Sequence, residues 1–269
     1  MDKHRHSLSR TARGILLAVL LVALTGCAKK PEVTGEVLDG FGRPLPGATV
    51  KVQNTTFVAT TSGNGRYAVG YVPGKVIVKI SKEGYTSAAM SLDIATGAKY
   101  PAQSVTLYKL PAEKGIFAFG TSDYVPLQRG KLSFSSKEFP FSWDKPLFQE
   151  TYSVIGEFTA IGGGETEVAF LDNDGRNHQL FAITTGTVIL SRTKKWMDTK
   201  DDARILKDKA IQIAPNVYLR KITLSKGRYA FVTLGAAAEM GLGGIGSGGP
   251  AFGAFGHPIG EPVYLFEVK

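Results

Sequence analysis

Short strand-like runs separated by turn residues fill the chain between residues 33 and 110. Such spacing is typical of antiparallel sheets, and the glycine, proline and asparagine between the runs favour tight turns. The pattern therefore predicts a small β-sandwich. Its most evident strands are expected at residues 33–38, 48–52, 66–69, 76–80 and 104–108.

Five segments of this region carry a resemblance to a known family. They are TGEV at residues 34–37, PLPGATV at 44–50, TSGNGRY at 61–67, PG at 73–74 and KEGYT at 82–86. Together they resemble a carboxypeptidase regulatory-like domain spanning residues 33–110. The resemblance implies a Greek-key sandwich of about seven strands, similar to transthyretin and immunoglobulin-like domains. It implies an accessory module that packs beside other domains or binds partners, without catalytic residues.

After a polar link at residues 109–114, the chain stays rich in β-branched and aromatic residues and resembles no family. Eight runs predict strands, at residues 115–119, 152–161, 167–171, 179–183, 187–190, 217–224, 228–234 and 262–268. They favour a second β-sandwich or a partly open barrel over residues 115–269. Residues 198–209 are the one candidate helix, although their charges are equally compatible with a long loop. We expect an all-β protein with at most one short helix.

The amino-terminal residues have the order of an export signal. Four basic residues precede an apolar run at residues 14–24, which is too short for the roughly 20 residues that a spanning helix needs. The sequence Leu24-Thr25-Gly26-Cys27 then resembles the cleavage site of a bacterial lipoprotein. The resemblance implies a lipidated Cys27 at a new, acylated amino terminus, and two or more acyl chains anchor a protein stably. We expect a signal peptide at 1–26 and an anchor linker at 27–32.

Composition agrees with export to a bacterial envelope. Cys27 is the only cysteine of the 269 residues, so a lipidated chain keeps no thiol for a disulfide. The alternative for Cys27 is a buried free thiol. Ala28 stands where aspartate would favour inner-membrane retention, which favours the outer membrane. The net charge of +9 includes +3 from residues 1–26, and the remaining +6 is spread along the chain, so no nucleic-acid partner is expected.

A glycine-rich stretch near the carboxyl terminus matches a dinucleotide-binding pattern only in its letters. Residues 241–246 read GLGGIG, but Pro250 and further glycines follow where a helix should present its amides to a pyrophosphate. A surface loop is the expected structure. The alternative is a loop that inserts apolar side chains into a bilayer or a partner groove. Those side chains would be Met240, Leu242, Ile245, Phe252 and Phe255.

No motif predicts a metal or a cofactor. Asp172-Asn173-Asp174-Gly175 resembles the start of a calcium loop, but Ile183 occupies the position of the bidentate glutamate, so a hairpin turn is predicted. His178 and His257 are the only histidines after residue 26, with no carboxylate at ligand spacing. We therefore expect neither a metal site nor a cofactor.

Two further patterns keep alternative functions open. Glu165 and Glu167 would share one face of a strand and could serve a hydrolase as paired carboxylates, although a solvated strand edge has the same pattern. Phe139, Phe141 and Trp143 alternate, so in a strand they could form an aromatic platform for sugars or part of a core.

The expected function is a lipid-anchored accessory protein of the cell envelope that acts by binding or scaffolding and is not an enzyme. Its partners would be the membrane, through Cys27, and an envelope protein or polysaccharide. The alternatives are a polysaccharide-binding module and a hydrolase housed in residues 115–269.

Overall fold

A computed structural model describes residues 31–96, 99–140, 148–162, 166–184, 186–194, 199–201, 205–233 and 262–269. The regular elements of these residues are all β-strands, as predicted. The chain divides into two units: the first comprises the described residues up to Glu83 together with Ser87–Leu107, and the second comprises Gly84–Thr86 and the described residues from Tyr108 onward. Within the described ranges, no helix is long and apolar enough to cross a membrane.

Eight strands build the first unit as two four-stranded sheets. They are β1 (Glu32–Asp39), β2 (Thr49–Val52), β3 (Val58–Thr60), β4 (Arg66–Gly70), β5 (Gly74–Ser81), β6 (Ala88–Ile94), β7 (Lys99–Pro101) and β8 (Val105–Leu107). One sheet has the order β4-β1-β7, with β8 also paired to β1, and the other has the order β3-β2-β5-β6. Strand β1 runs antiparallel to β4 and parallel to β7 and β8.

Alternating side chains of both sheets form the interior of the first unit. Val33 and Val37 of β1 are fully buried, as are Val50 of β2 and Ile80 of β5. The turn before β4 depends on Gly65, which has a φ of 74° and lies against β1 so closely that an added Cβ would stand 2.6 Å from the carbonyl oxygen of Val37. No other residue type can occupy this position without displacing the backbone.

Fourteen strands build the second unit. They are β9 (Ile116–Phe119), β10 (Tyr124–Pro126), β11 (Gln128–Glu138), β12 (Phe148–Ile155), β13 (Thr159–Ile161), β14 (Thr166–Asp172), β15 (His178–Ala182), β16 (Val188–Lys194), β17 (Thr199–Asp201), β18 (Ile205–Leu206), β19 (Lys209–Ala214), β20 (Val217–Leu224), β21 (Gly227–Thr233) and β22 (Pro262–Val268). A five-stranded sheet has the order β10-β9-β14-β20-β19. A nine-stranded sheet has the order β17-β16-β12-β11-β22-β21-β15-β18, with β13 also paired to β22.

The nine-stranded sheet is apolar on both faces. On β22, Tyr264 and Phe266 face the five-stranded sheet, where they pack with residues such as Phe170. Val263 and Leu265 face the opposite way, into a second apolar cluster that the nine-stranded sheet forms with its own strands β12, β15, β16 and β21. The sheet therefore curls around this cluster, as expected of a partly open barrel.

Each of the eight runs predicted after residue 115 overlaps an observed strand, but three predictions of detail differ from the structure. The run at 152–161 is divided into β12 and β13, with Gly156 between them at a φ of 154°. The candidate helix at 198–209 is wrong for its described residues, which form β17, β18 and the start of β19. Pairing of β17 with β16 and of β18 with β15 overrides the helical preference of the local sequence. Strands β10, β11 and β19 were not among the predicted runs.

Candidate functional site: a buried charged cluster

The largest group of interacting charged side chains in the described residues lies between the two sheets of the second unit. Strand β14 ends at Asp172, which faces the same interior as Phe170 because alternate residues of a strand share a face. Strand β15 begins at His178, on the same face as the buried Leu180. The turn between these strands, with Gly175 at a φ of 80°, crosses from one sheet to the other. The predicted hairpin at this turn is therefore wrong.

Asp172 and His178 are the centre of the cluster. Their side chains are fully buried, and Nδ1 of His178 lies 2.9 Å from Oδ2 of Asp172. The other ring nitrogen, Nε2, lies 3.3 Å from Oδ2 of Asp174. Arg176, within the same turn, places its Nε 3.2 Å from that oxygen of Asp174. The imidazole is thus hydrogen-bonded to Asp172 through Nδ1, while the carboxylate of Asp174 lies near Nε2 without a hydrogen bond to it.

Arg220 joins the cluster from the neighbouring strand β20. It stands opposite Phe170 in the β14–β20 register, so it is the diagonal neighbour of Asp172. Its Nε donates to Oδ2 of Asp172 at 3.0 Å, and its Nη1 donates to Oδ2 of Asp208 at 2.8 Å. The guanidinium also lies over the ring of Phe231, 5.8 Å from its centroid. One arginine therefore holds two carboxylates in a largely apolar setting.

Tyr264 covers the cluster from strand β22. Its ring meets the imidazole of His178 edge-on, with centroids 5.5 Å apart. Burial raises the pKa of its phenol to about 12, and the negative charge of Asp174 adds to this effect, while Arg129 partly opposes it. The hydroxyl therefore stays protonated near neutral pH.

The geometry of this cluster favours a structural role. The two carboxylates that contact His178 approach different ring nitrogens, so they do not converge on one point where a metal ion could sit. Among the residues that the structure describes, no group of three or more histidine, cysteine or acidic side chains could hold a metal ion. The charged groups instead contact one another across β14, β15 and β20, so the cluster links the two sheets of the second unit.

Most of the residues singled out from the sequence lie outside the described ranges. These are Cys27, Phe141, Trp143, Glu165, Met240, Leu242, Ile245, Phe252, Phe255 and His257. Phe139 is described: it is half-buried just after β11, which ends at Glu138, and the Nζ of Lys137 lies 5.2 Å from its ring centroid. The proposed aromatic platform remains a prediction.

Glu167, the described member of the predicted carboxylate pair, is solvent-exposed. It lies on β14, which is an interior strand of its sheet, and its Oε1 is 3.2 Å from the Nζ of Lys221 on β20. An exposed glutamate paired with a lysine has the arrangement of an ordinary surface ion pair.

The buried cluster was not predicted, because His178 was expected to have no carboxylate at ligand spacing. Asp172 and Asp174 lie only six and four residues before it, in the segment that resembles the start of a calcium loop. A signal was present: two aspartates and a histidine border a glycine-containing turn between two apolar strands. Their burial depends on Arg220, almost fifty residues later, which no local pattern connects to them.

Comparisons with solved structures give only distant similarities. A mutant type II cohesin–X-dockerin complex of Acetivibrio cellulolyticus is 21% identical, covering 29% of this chain and 58% of that chain with a TM-score of 0.26. A streptococcal ancillary pilin is 11% identical, covering 77% and 54% with a TM-score of 0.24. The TIE protein of Bacillus anthracis is 15% identical, covering 88% and 48% with a TM-score of 0.26. The chain spans less than two thirds of the length of each of these structures.

Comparison with protein families gives one match, to the part of the chain that forms the first sandwich. A search of curated proteins finds no match. The family profile described as "Carboxypeptidase regulatory-like domain" matches residues 32–108, which begin at the first residue of β1 and end one residue after β8. Residues 32–108, less than a third of the chain, are therefore a carboxypeptidase regulatory-like domain.

Proposed function

We propose that this protein is a lipid-anchored accessory protein of the bacterial cell envelope that acts by binding or scaffolding. The observation that carries the proposal is the order of two features along the chain. The lipoprotein-like sequence ending at Cys27 is followed after four residues by a carboxypeptidase regulatory-like domain. A lipid on Cys27 would hold this domain at a membrane surface.

The chemistry of the first unit supports binding rather than catalysis. Two of its buried polar side chains, Asp39 and Thr61, are occupied by hydrogen bonds to the backbone of nearby turns. Such groups stabilise loops and offer no reactive atom to a substrate. The unit therefore fits the role of a docking or spacing module.

The second unit supports the same proposal through its charged cluster. A hydrolase needs titratable groups that reach its substrate. Here the side chains of Asp172 and His178 are fully buried and contact each other, while Glu167 is exposed and paired with a lysine. These described groups are therefore better placed to stabilise a partner-binding domain than to react with a substrate.

The test begins with lipid attachment. Bacteria producing the full chain, the Cys27→Ala variant or an Ala28→Ser control would be grown with labelled palmitate and separated into soluble and membrane fractions. We expect label and membrane association for the full chain and the control, and neither for Cys27→Ala. Label on the Cys27→Ala protein, or none on the full chain, would overturn the lipid anchor.

The test of scaffolding is crosslinking in cells, followed by protein mass spectrometry and glycan analysis of what is captured. A discrete envelope protein captured with the full chain and lost with Cys27→Ala supports an anchored scaffold. Glycan alone would replace this proposal with polysaccharide binding, and Trp143→Ala should then reduce the capture. Hydrolysis of an envelope polymer by the purified protein would replace it with an enzyme.

A further inference from the structure

The outer face of the sheet β3-β2-β5-β6 is basic and partly apolar. Its defining side chains, all exposed, are Lys51, Val58, Lys75, Ile77, Lys79 and Asp93, and we call this surface the lysine face. They share one side of the sheet because the intervening residues of these strands, such as Val50, Val78 and Ile80, point into the interior. Three lysines against one aspartate leave two net positive charges there.

The opposite sheet of the same unit provides a contrast. Its outward charged residues are Glu32 and Glu36 of β1, Arg66 of β4 and Lys99 of β7, whose charges cancel. Glu36 and Arg66 stand directly opposite each other in the register. The positive charge of this unit's sheets is thus concentrated on one side.

The lysine face holds an unfavourable arrangement for a surface that serves stability alone. Lys51 and Lys79 are directly opposite each other on neighbouring strands, and like charges in that position destabilise a sheet. Lys75 stands directly opposite Asp93 in the register, whereas Lys51 and Lys79 make no ion pair with another described residue. Beside them, Val58 and Ile77 are large aliphatic side chains left exposed. Such a mixed surface suits a partner that carries negative charge next to apolar material.

One edge of the lysine face lies at the end of the first unit where strand β1 begins. Glu32, at the start of β1, pairs with Gly70 at the end of β4. Only Tyr71–Pro73 separate Gly70 from Gly74, where β5 begins, so Lys75 lies at this same end. From Cys27 to Glu32 the chain can span at most about 18 Å. Lys29 and Lys30, next to Cys27, add positive charge beside the anchor.

We propose that the lysine face docks on anionic lipid headgroups of the membrane to which Cys27 is anchored. This inference rests on the lipid anchor proposed above. Basic residues near an anionic surface are attracted to it, and an acyl anchor combined with a basic patch binds a membrane more firmly than either alone. Val58 and Ile77 would contact the boundary between headgroups and acyl chains.

This proposal can be tested on vesicles, with a synthetic lipid attached to Cys27 in place of the acyl chains added in cells. The mature chain, whose only thiol is Cys27, would be coupled through that thiol to a maleimide lipid in vesicles of phosphatidylcholine alone or mixed with phosphatidylglycerol. Amine-reactive labelling of single lysines would then be followed by mass spectrometry. Because attraction strengthens binding about fivefold per lysine, we expect labelling of Lys51, Lys75 and Lys79 to slow by about tenfold or more on the anionic vesicles. Labelling of Lys99 should not change.

Two charge-matched variants test the assignment to this face. Lys51→Glu with Lys79→Glu should abolish the protection of Lys75, whereas Arg66→Glu with Lys99→Glu, on the opposite sheet, should preserve it. High salt should also remove the protection, because it screens surface charges. Equal protection of Lys99, or protection that survives Lys51→Glu with Lys79→Glu, overturns the proposal.

The design also separates this proposal from the proposed function. Chemical coupling does not require lipidation in cells, so a chain that is never acylated could still show the protection. Unprotected lysines on anionic vesicles overturn docking while leaving the lipid anchor standing. Protection by a soluble acidic polysaccharide in place of the vesicles would assign the face to that polymer instead.

Discussion

The two units bury polar groups in different ways. In the first, Thr61 binds the backbone of Leu45 and Ala48, and Asp39 binds the backbone of Phe41 and Arg43. In the second, the buried acid and base groups bind one another: Asp172 contacts Arg220 within its own sheet and His178 of the other sheet. The first arrangement fixes the path of a turn, while the second joins separate strands.

The two units should therefore be destabilised by different kinds of substitution. A buried ion pair adds little net stability, but removing one partner leaves a charge that has lost both water and its counterion. The second unit should therefore respond most to the loss of one charged side chain. The first unit should respond most to changes in backbone geometry at its turns.

The largest loss of stability is expected from Asp172→Ala in the second unit. It would leave Arg220 and His178 buried without their shared acceptor, and we expect the free energy of unfolding of the second unit to fall by about 3–5 kcal/mol. Urea unfolding followed by tryptophan fluorescence would measure it, because both tryptophans, Trp143 and Trp196, lie in the second half of the chain.

Glu167→Ala provides the matched control for that experiment. It removes a carboxylate from the same strand, but the Glu167 side chain is 59% exposed whereas that of Asp172 is fully buried. Loss of an exposed pair costs about 0–1 kcal/mol. Equal effects of the two substitutions would show that the buried cluster contributes no more than a surface ion pair.

In the first unit, the largest effect is expected from Gly65→Ala. The new Cβ would meet the carbonyl oxygen of Val37, and the residue would keep a positive φ. We expect the unit to lose about 3 kcal/mol, against about 1 kcal/mol for Gly42→Ala, which has a φ of 77° and no atom within 4 Å of the added carbon. Hydrogen exchange of peptides from residues 32–108 would measure both losses, and similar values would exclude the close approach as the cause.

Asp39→Ala should give a smaller effect that depends on pH. Burial opposes the charge of Asp39, but hydrogen bonds from the backbone N–H groups of Arg43 and Phe41 and from the Arg43 side chain outweigh it and lower the pKa. Removing the side chain should cost about 1–2 kcal/mol at neutral pH.

The sign of the pH dependence follows from the lowered pKa of Asp39. The folded state binds the proton less readily than the unfolded state, so the stabilisation is complete above the unfolded-state pKa of about 4 and is lost as the pH falls through the folded-state pKa. The difference between the original chain and Asp39→Ala should therefore shrink in acid. A difference that grows in acid would contradict the assignment.

The strands of the first unit could be predicted from local sequence patterns. The charged cluster of the second unit could not, because it depends on contacts between residues that are far apart in the sequence. Strands such as β1 and β5 alternate buried and exposed residues between turn motifs, and this period is visible in the sequence. The cluster requires the β14–β20 register to bring Arg220 to Asp172, and the curled sheet to bring Tyr264 to His178. Strand β11 was missed because its exposed polar side chains resemble a loop, although β12 and β22 hold it on both sides.

The smallest expected effect separates stability from function within the first unit. Lys51→Glu would place an acid directly opposite Lys79 and replace repulsion by attraction, so we expect the unit to gain about 0.5 kcal/mol in hydrogen-exchange measurements. Arg66→Glu, which changes charge equally but faces Glu36, should lower stability by a similar amount. A loss of stability in Lys51→Glu would show that the two lysines are not in contact as the register implies. A gain, combined with faster labelling of Lys75 on anionic vesicles, would mean that the lysine pair is kept for membrane docking at the expense of stability.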